Sequence, residues 1–440
     1  MDFRHVTLDE LDLEGRELEL TAQQAMLLRE SKLVDVRTLG GDRHWLMPNG
    51  RVGAVRFEDL QVNVTPNHKL DVTHLMFLLG YAKNPGFRPD SVVGEAHGDL
   101  WPAMAQSLAA SVERALRMGV LQGYTSEQEA LLTVRGRIAF EEQIRRRPGH
   151  TVPIEVRYDD FSPDIAENQI LVAAIHLMLG VPRLDGEIRR RLLHLDARFV
   201  GVKRLVPGTP TPRWQPTRLN ERYHAALGLA EVLLRHASTR ASATGITMSA
   251  FVVVMWKVFE DFVTTALTEA LAAHPGYSSP HLPVYLTGAG DWGEGRTGRG
   301  QEDPHGDVLM NVDVVHVDGD GAPDVVFDAK YKLASHTGRY ANADHYQMLA
   351  YCTALGVPTA WLIYAGGGAD IRRKIKNAVV EVVTAPLNLR ERPEAVLERV
   401  RQVALEALGA SQGRRMVTAN ASAQGRVSEA LRDLGTSAES

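Results

Sequence analysis

Apolar residues along this chain change their period several times, and each change marks an expected element. Between Leu33 and Val64 they alternate with polar residues over short runs, KLVDVRTL, RHWLMP and RVGAVRFEDLQVNV, the spacing of half-buried strands. Asn49-Gly50 separates two of these runs, and since both residues tolerate positive φ the dipeptide predicts a hairpin. In DVTHLMFLLGYA and GDLWPAMAQSLAASVERALRMGVL the period lengthens to that of amphipathic helices.

Further on, TVRGRIAFEEQI reads as strand and the basic stretch Arg145–Gly149 interrupts the pattern. IEVRYDDFSPDIAENQILVAAIHLMLG then turns from alternation to helical spacing after Pro163, with Asp164 as the expected N-cap. EIRRRLLHLDARF and RLNERYHAALGLAEVLLRHAS continue as helices, and the small polar segment STRASATGITM reads as a linker. Beyond it SAFVVVMWKVFEDFVTTALTEALAAH predicts a helix, and the turn DGDGAP joins the strands VLMNVDVVHV and DVVFDAKYKL. Helix NADHYQMLAYCTALG, strand TAWLIYA, a strand at VVEVVTAP and a helix from Pro393 to Leu408 follow. That order gives a mixed sheet with flanking helices. The expected whole is a mixed α+β chain in four parts. These are an N-terminal β-rich and helical module (1–130), a mainly helical middle region (131–245), a C-terminal α/β domain (246–409), and a disordered tail (410–440) rich in Ser, Ala, Gly and Arg.

Composition narrows the function. The chain has 440 residues and a net charge of −5, which excludes coating nucleic acid by overall basicity and makes any DNA contact regional. A single cysteine, Cys352, can form neither an intramolecular disulfide nor a thiolate cluster, and reads as a buried side chain in a reducing compartment. The acidic start MDFRHVTLDELDLEG lacks the apolar core of a signal peptide and no run reaches the length of a bilayer span, so a cytoplasmic protein without membrane contact is expected. The sixteen histidines contain no HExxH and read as core or surface residues. GDWGEGRT, from Gly290 to Thr297, differs from a phosphate-binding loop by one residue, Arg296 standing where lysine is needed, and no helix follows it. It reads as a loop beside the site, with Arg296 and Arg299 as DNA contacts, and Arg372–Lys376 is a further basic run in the same domain.

The chemistry concentrates in DVVFDAKYK. Asp328 and Lys330 are two apart on a strand and leave one face together. A hairpin through Asp318–Gly321 folds Asp313 beside Asp328, so two carboxylates and an ammonium meet. Carboxylate oxygens are the ligands Mg²⁺ prefers, and phosphodiester hydrolysis needs such a cation. Asp313 and Asp328 suit that role, Glu260 in VFEDFV is a third acid able to complete the shell, and Lys330 suits the charge that develops on phosphorus. Gln347 and Tyr351, four apart on a helix, point the same way and suit backbone contact or orientation of the lysine. Tyr331 reads as a packing residue and Lys332 as a flanking phosphate contact.

The ordered set VFEDFV, NVDVV, FDAKYK and HYQMLAY resembles the nuclease domain of the McrC family, the cleavage subunit of McrBC modification-dependent restriction systems and part of the PD-(D/E)xK superfamily. The upstream runs GAVRFEDLQVNVTPNHKLDVTHLMFLLGYA, VRGRIAFEEQI, YDDFSPDIAENQILVAAI and TRLNERYHAAL agree with it too, so the likeness spans roughly Val34 to Leu408. Asn311-Val312-Asp313 departs from the proline that usually precedes the first aspartate, and Pro66-Asn67-His68-Lys69 from the family's Pro-Lys. The resemblance implies a restriction-endonuclease-like domain acting as a Mg²⁺-dependent endodeoxyribonuclease on double-stranded DNA with modified cytosine. It also implies a hexameric AAA+ GTPase partner of the McrB type, stimulated by the N-terminal half, where Arg56, Lys69 and Arg137 are unranked contacts. Two rivals stay open: a non-catalytic activator of the ring, and a stand-alone RecB-like repair nuclease.

Overall fold

A computed structural model describes residues 3–12, 14–66, 70, 72–85, 87, 99–206, 209–241, 246–286, 308–331 and 342–411. Contacts divide the chain into two compact units, residues 1–80 with 86–254, and residues 81–85 with 255–440. Mixed α+β architecture with several sheets is observed, as the sequence predicts.

The first unit opens with β1 (Arg4–Asp9), β2 (Arg16–Glu19) and α1 (Ala22–Ser31), none of which the sequence reading anticipates. Thr21 starts α1 through a capping box with Gln24. Next come β3 (Val34–Gly40), β4 (Arg43–Pro48), β5 (Arg51–Arg56), β6 (Leu60–Thr65), α2 (Val72–Tyr81) and α3 (Leu100–Ala115). The unit continues through β7 (Gly123–Leu131), β8 (Arg137–Ile138), α4 (Phe140–Arg146), β9 (Ile154–Ser162), α5 (Ala166–Leu179), α6 (Gly186–Asp196) and α7 (His224–His236), and ends in β10 (Ala237–Ala241) and β11 (Thr247–Val254). Its sheets run β1-β6-β5-β11-β10, β2-β4-β3 and β7-β9-β8.

Four local expectations are corrected here. Asn49-Gly50 closes no hairpin, because β4 pairs with β2 and β3 whereas β5 pairs with β6 and β11. The positive φ of Gly50, +78°, turns the chain from one sheet into another, and the Asn49 amide donates to Lys32 O and Asp35 Oδ1. FEEQI is the helix α4 and not strand. Asp164 does not cap α5; Ile165 stands there, and Asp164 Oδ1 accepts from Gln169 Nε2 and Lys203 N. The segment read as linker plus helix start instead holds the paired strands β10 and β11, which puts the boundary after Val254 and not at 246. Gly53 explains the closeness of β5 to β11: a Cβ there would lie 1.9 Å from the Phe251 carbonyl oxygen.

The second unit contains α8 (Met255–Leu271), β12 (Tyr277–Tyr285), β13 (Leu309–Val317), β14 (Pro323–Lys330), α9 (Asn342–Leu355), β15 (Thr359–Ala365), β16 (Ile371–Lys374), β17 (Glu381–Leu387) and α10 (393–411). Among the described residues its sheet has the order β12-β13-β14-β15-β17-β16, with β14, β15 and β17 parallel and the rest antiparallel. Every residue of β15 is buried, as expected of a strand covered on both faces. Helix α8 packs its Val258, Phe259, Phe262 and Val263 stripe against β12, β13 and β14. Cys352 is buried on α9 in the same core. Helix α10 runs to Ser411, whose buried hydroxyl donates to Asp324 Oδ1, so the ordered chain extends past the expected start of the tail at 410. Among the described residues no helix is long and apolar enough to cross a membrane.

Candidate active site

The hairpin of β13 and β14 assembles the centre. Pairing of Val314 with Phe327 sets Asp313 opposite Asp328, and the amide of Ala329 donates to Asp313 Oδ2 at 2.8 Å. Two residues beyond Asp328 on the same face, Lys330 brings Nζ to 2.5 Å from Asp328 Oδ2. Asp328 is only 1% exposed and the lysine side chain 18%, so this is an ion pair largely out of water. Neither Asp328 oxygen takes a well-formed hydrogen bond from the described residues.

Helix α8 contributes Glu260, and the edge strand β12 contributes His281. The flanking pairs Pro280 with Val314 and Leu282 with Val312 set His281 opposite Asp313. Its Nδ1 lies 3.7 Å from Glu260 Oε1, and ligand atoms of Glu260, His281 and Asp313 all fall within 4.8 Å of one another.

Negative charge is in surplus. Burial, followed by the neighbouring charge of Asp313, raises Asp328 to about 7 against the pull of Lys330. Asp313 is also raised, chiefly by burial, with the Ala329 amide and Lys330 opposing. Glu260 is raised by burial and by Asp313. For Lys330, burial works against the charge, but Asp328, Asp313 and Asp344 outweigh it and the ammonium is held above its ordinary value. Lys330 beside Asp328 and Lys257, 3.7 Å from Glu260 Oε1, offset only part of this charge, and all three carboxyls are still raised, so a cation would stabilise the site.

Around this centre, Gln347 Nε2 donates to the Tyr351 hydroxyl at 2.6 Å, and that hydroxyl donates to the Asn311 carbonyl at 2.6 Å. Through these bonds the pair fastens β13 two residues before Asp313. Burial and the charge of Asp328 raise the Tyr351 phenol. Tyr331 packs on Phe259 with ring centroids 6.0 Å apart. Lys332, Arg296, Arg299 and Lys69 lie outside the described residues. Arg372 stands over the Trp361 ring and faces Glu381, within the edge strand β16. Sequence reasoning missed His281, which has no motif around it, and Asp344, whose Oδ2 accepts from the Tyr364 hydroxyl at 2.6 Å in the interior.

Comparisons with known proteins bear on the family of the chain. The family described as McrBC 5-methylcytosine restriction system component matches residues 46–365. No curated protein matches the chain. Among solved structures, a chain of the refined half-complex from the tetradecameric assembly of Thermococcus gammatolerans McrB AAA+ hexamers with bound McrC is similar, with a TM-score of 0.54 at 17% identity over 91% of this chain and 99% of that one. A chain of the Thermococcus gammatolerans McrBC complex has a TM-score of 0.38 at 20% identity, covering 61% and 88%. With the family match running through more than two thirds of its length, this chain belongs to the McrBC family of 5-methylcytosine restriction system components.

Proposed function

We propose that this chain is the McrC-like endonuclease subunit of a restriction complex, cutting double-stranded DNA by Mg²⁺-dependent phosphodiester hydrolysis. The observation that carries the reading is Asp313 facing Asp328 across one hairpin, with Lys330 paired to Asp328. Asp313, Asp328 and Glu260 are the residues that would hold the cation. They fit it by chemistry, being hard oxygen donors, and by circumstance, since the Asp328 oxygens are buried without well-formed hydrogen bonds from the described residues. When bound, such a cation offsets phosphate charge and acidifies a water. The protein's own contribution begins with Lys330, an ammonium kept charged by its acids and turned towards the same face. It steadies the charge gathering on the phosphoryl oxygens and orients the attacking water. Tyr351 and Gln347 keep Asp313 in place by fixing the backbone of β13.

The partner in this reading is an AAA+ GTPase ring of the McrB type, which supplies recognition of modified cytosine and whose turnover this chain stimulates. The first unit offers a surface for it on the β7-β9-β8 sheet and α4. No residue of α4 is buried, yet it carries Phe140 and Ile144 four apart on one face, 67% and 71% exposed. Tyr124 and Phe161 pair across β7 and β9 on the same sheet and are also exposed. Exposed apolar side chains gathered in this way mark an interaction site.

The test is plasmid cleavage by the purified chain with Mg²⁺, with and without a McrB-type AAA+ GTPase partner. Cutting that needs both Mg²⁺ and the partner is expected. GTPase stimulation without any cutting would point to a ring activator, and efficient cutting without the partner to a stand-alone nuclease. Full activity in excess EDTA would overturn the site.

A further inference from the structure

His281 stands on the edge strand β12 with its side chain about half exposed and its ring turned to Glu260. Its φ is +51°, a left-handed conformation that residues with a Cβ adopt at a cost, and such strain collects where function demands it. The distorted backbone falls opposite Asp313, which shares its face with Asp328 and lies under α8 and Glu260. Yet the imidazole makes no hydrogen bond to Glu260: 3.7 Å is too long for one. It is shorter than twice a metal–ligand bond of about 2.1 Å, so one ion can touch both groups. The ligand atoms of the whole trio lie within 4.8 Å of one another.

We infer that His281 is a nitrogen ligand of the divalent ion shared with Asp313 and Glu260, and that it biases the site towards Mn²⁺ over Mg²⁺. The inference rests on the metal-dependent nuclease reading above. Mg²⁺ favours oxygen almost exclusively, whereas first-row transition ions gain from imidazole. An oxygen-only shell from Glu260, Asp313 and Asp328 would lack the additional bias that imidazole confers.

The experiment is Mn²⁺ binding to the full chain, followed by pulsed electron paramagnetic resonance. A ¹⁴N coupling from a directly bound imidazole is expected in the wild type. It should vanish in His281→Ala and in His281→Gly, the latter also relieving the left-handed strain. Mn²⁺ affinity should fall at least about tenfold in both variants, and Mg²⁺ affinity, read by competition, by no more than about threefold. Thermal melts in EDTA check that the variants fold. Mn²⁺ bound to the wild type without nitrogen coupling, or a coupling that survives in His281→Gly, overturns the ligand assignment while leaving the metal site standing. Failure of the wild type to bind Mn²⁺ or Mg²⁺ overturns the assignment together with the nuclease reading.

Discussion

Asp328→Asn keeps the shape of the side chain and removes its charge, so it isolates what ionisation at this buried position costs. The carboxyl is raised from 3.8 to about 7 in the folded protein, and each pKa unit is worth about 1.4 kcal/mol. Below about pH 4 both folded and unfolded chains hold the proton and the group costs nothing. Between about pH 4 and 7 the unfolded chain gives up a proton that the folded chain retains, so stability falls as pH rises. Above that window the cost is complete, about 4 kcal/mol, with the Lys330 attraction already included because the carboxyl titrates beside it. Asparagine must also find partners for its amide hydrogens in the same pocket, which takes back about 1–2 kcal/mol. Metal-free Asp328→Asn should therefore be about 2–3 kcal/mol more stable than wild type at pH 8, about 5–10 °C in Tm for a unit of this size. The advantage should shrink to less than half by about pH 5. Denaturant and thermal unfolding in EDTA at both pH values measure it. A variant that melts below wild type at pH 8, or an offset that ignores pH, would refute the reasoning and show that the ion pair outweighs burial. Added Mg²⁺ or Mn²⁺ should stabilise the wild type far more than the variant, and cleavage should be lost.

Lys330→Ala should lower plasmid cutting by about 10²-fold or more while leaving partner GTPase stimulation intact, and loss of both activities in a folded variant would make Lys330 structural. Phe140→Asp combined with Ile144→Asp should do the reverse, abolishing stimulation and complex formation in gel filtration while leaving the melting temperature within about 2 °C, since neither side chain is buried. Ser411→Ala removes the hydroxyl that Asp324 accepts from and should destabilise by about 1 kcal/mol in urea unfolding. Truncation after Ser411 should leave that value and the cutting activity unchanged, because composition gives the last residues little to bury.

What the sequence made legible was local. Asp328 and Lys330 share a face because a strand repeats every two residues, and a short turn returns Asp313 beside them, so their meeting follows from spacing. Glu260 follows from a helix whose apolar stripe leaves it at the border of the packed face. His281 reaches the site through the pairing of β12 with β13, a relation between segments that no periodicity records. Strand β12 was itself hidden: Pro280 and Pro283 break the pattern, and only an edge position tolerates them. At the unit boundary, AFVVV runs without interruption into the apolar stripe of α8, so strand and helix merged into one expected helix. Three consecutive valines were the signal for a buried strand. Asn49-Gly50 shows the opposite failure, a strong turn signal whose turn leads out of the sheet and not back along it.

The place of β11 in its sheet bears on how the chain is made. Its neighbour β5 is finished early in synthesis, yet Val52 must wait about two hundred residues for Val253. Until then β5, which the finished fold buries almost throughout, presents an open row of backbone donors and acceptors beside β6. The ribosome thus releases a nascent chain whose central ladder is incomplete until the second unit is about to begin, and early release or truncation before Val254 leaves that edge free to pair with another molecule. Expression fragments of the first unit should accordingly aggregate when they end at residue 245 and stay dispersed when they run through Val254, a difference light scattering would read directly.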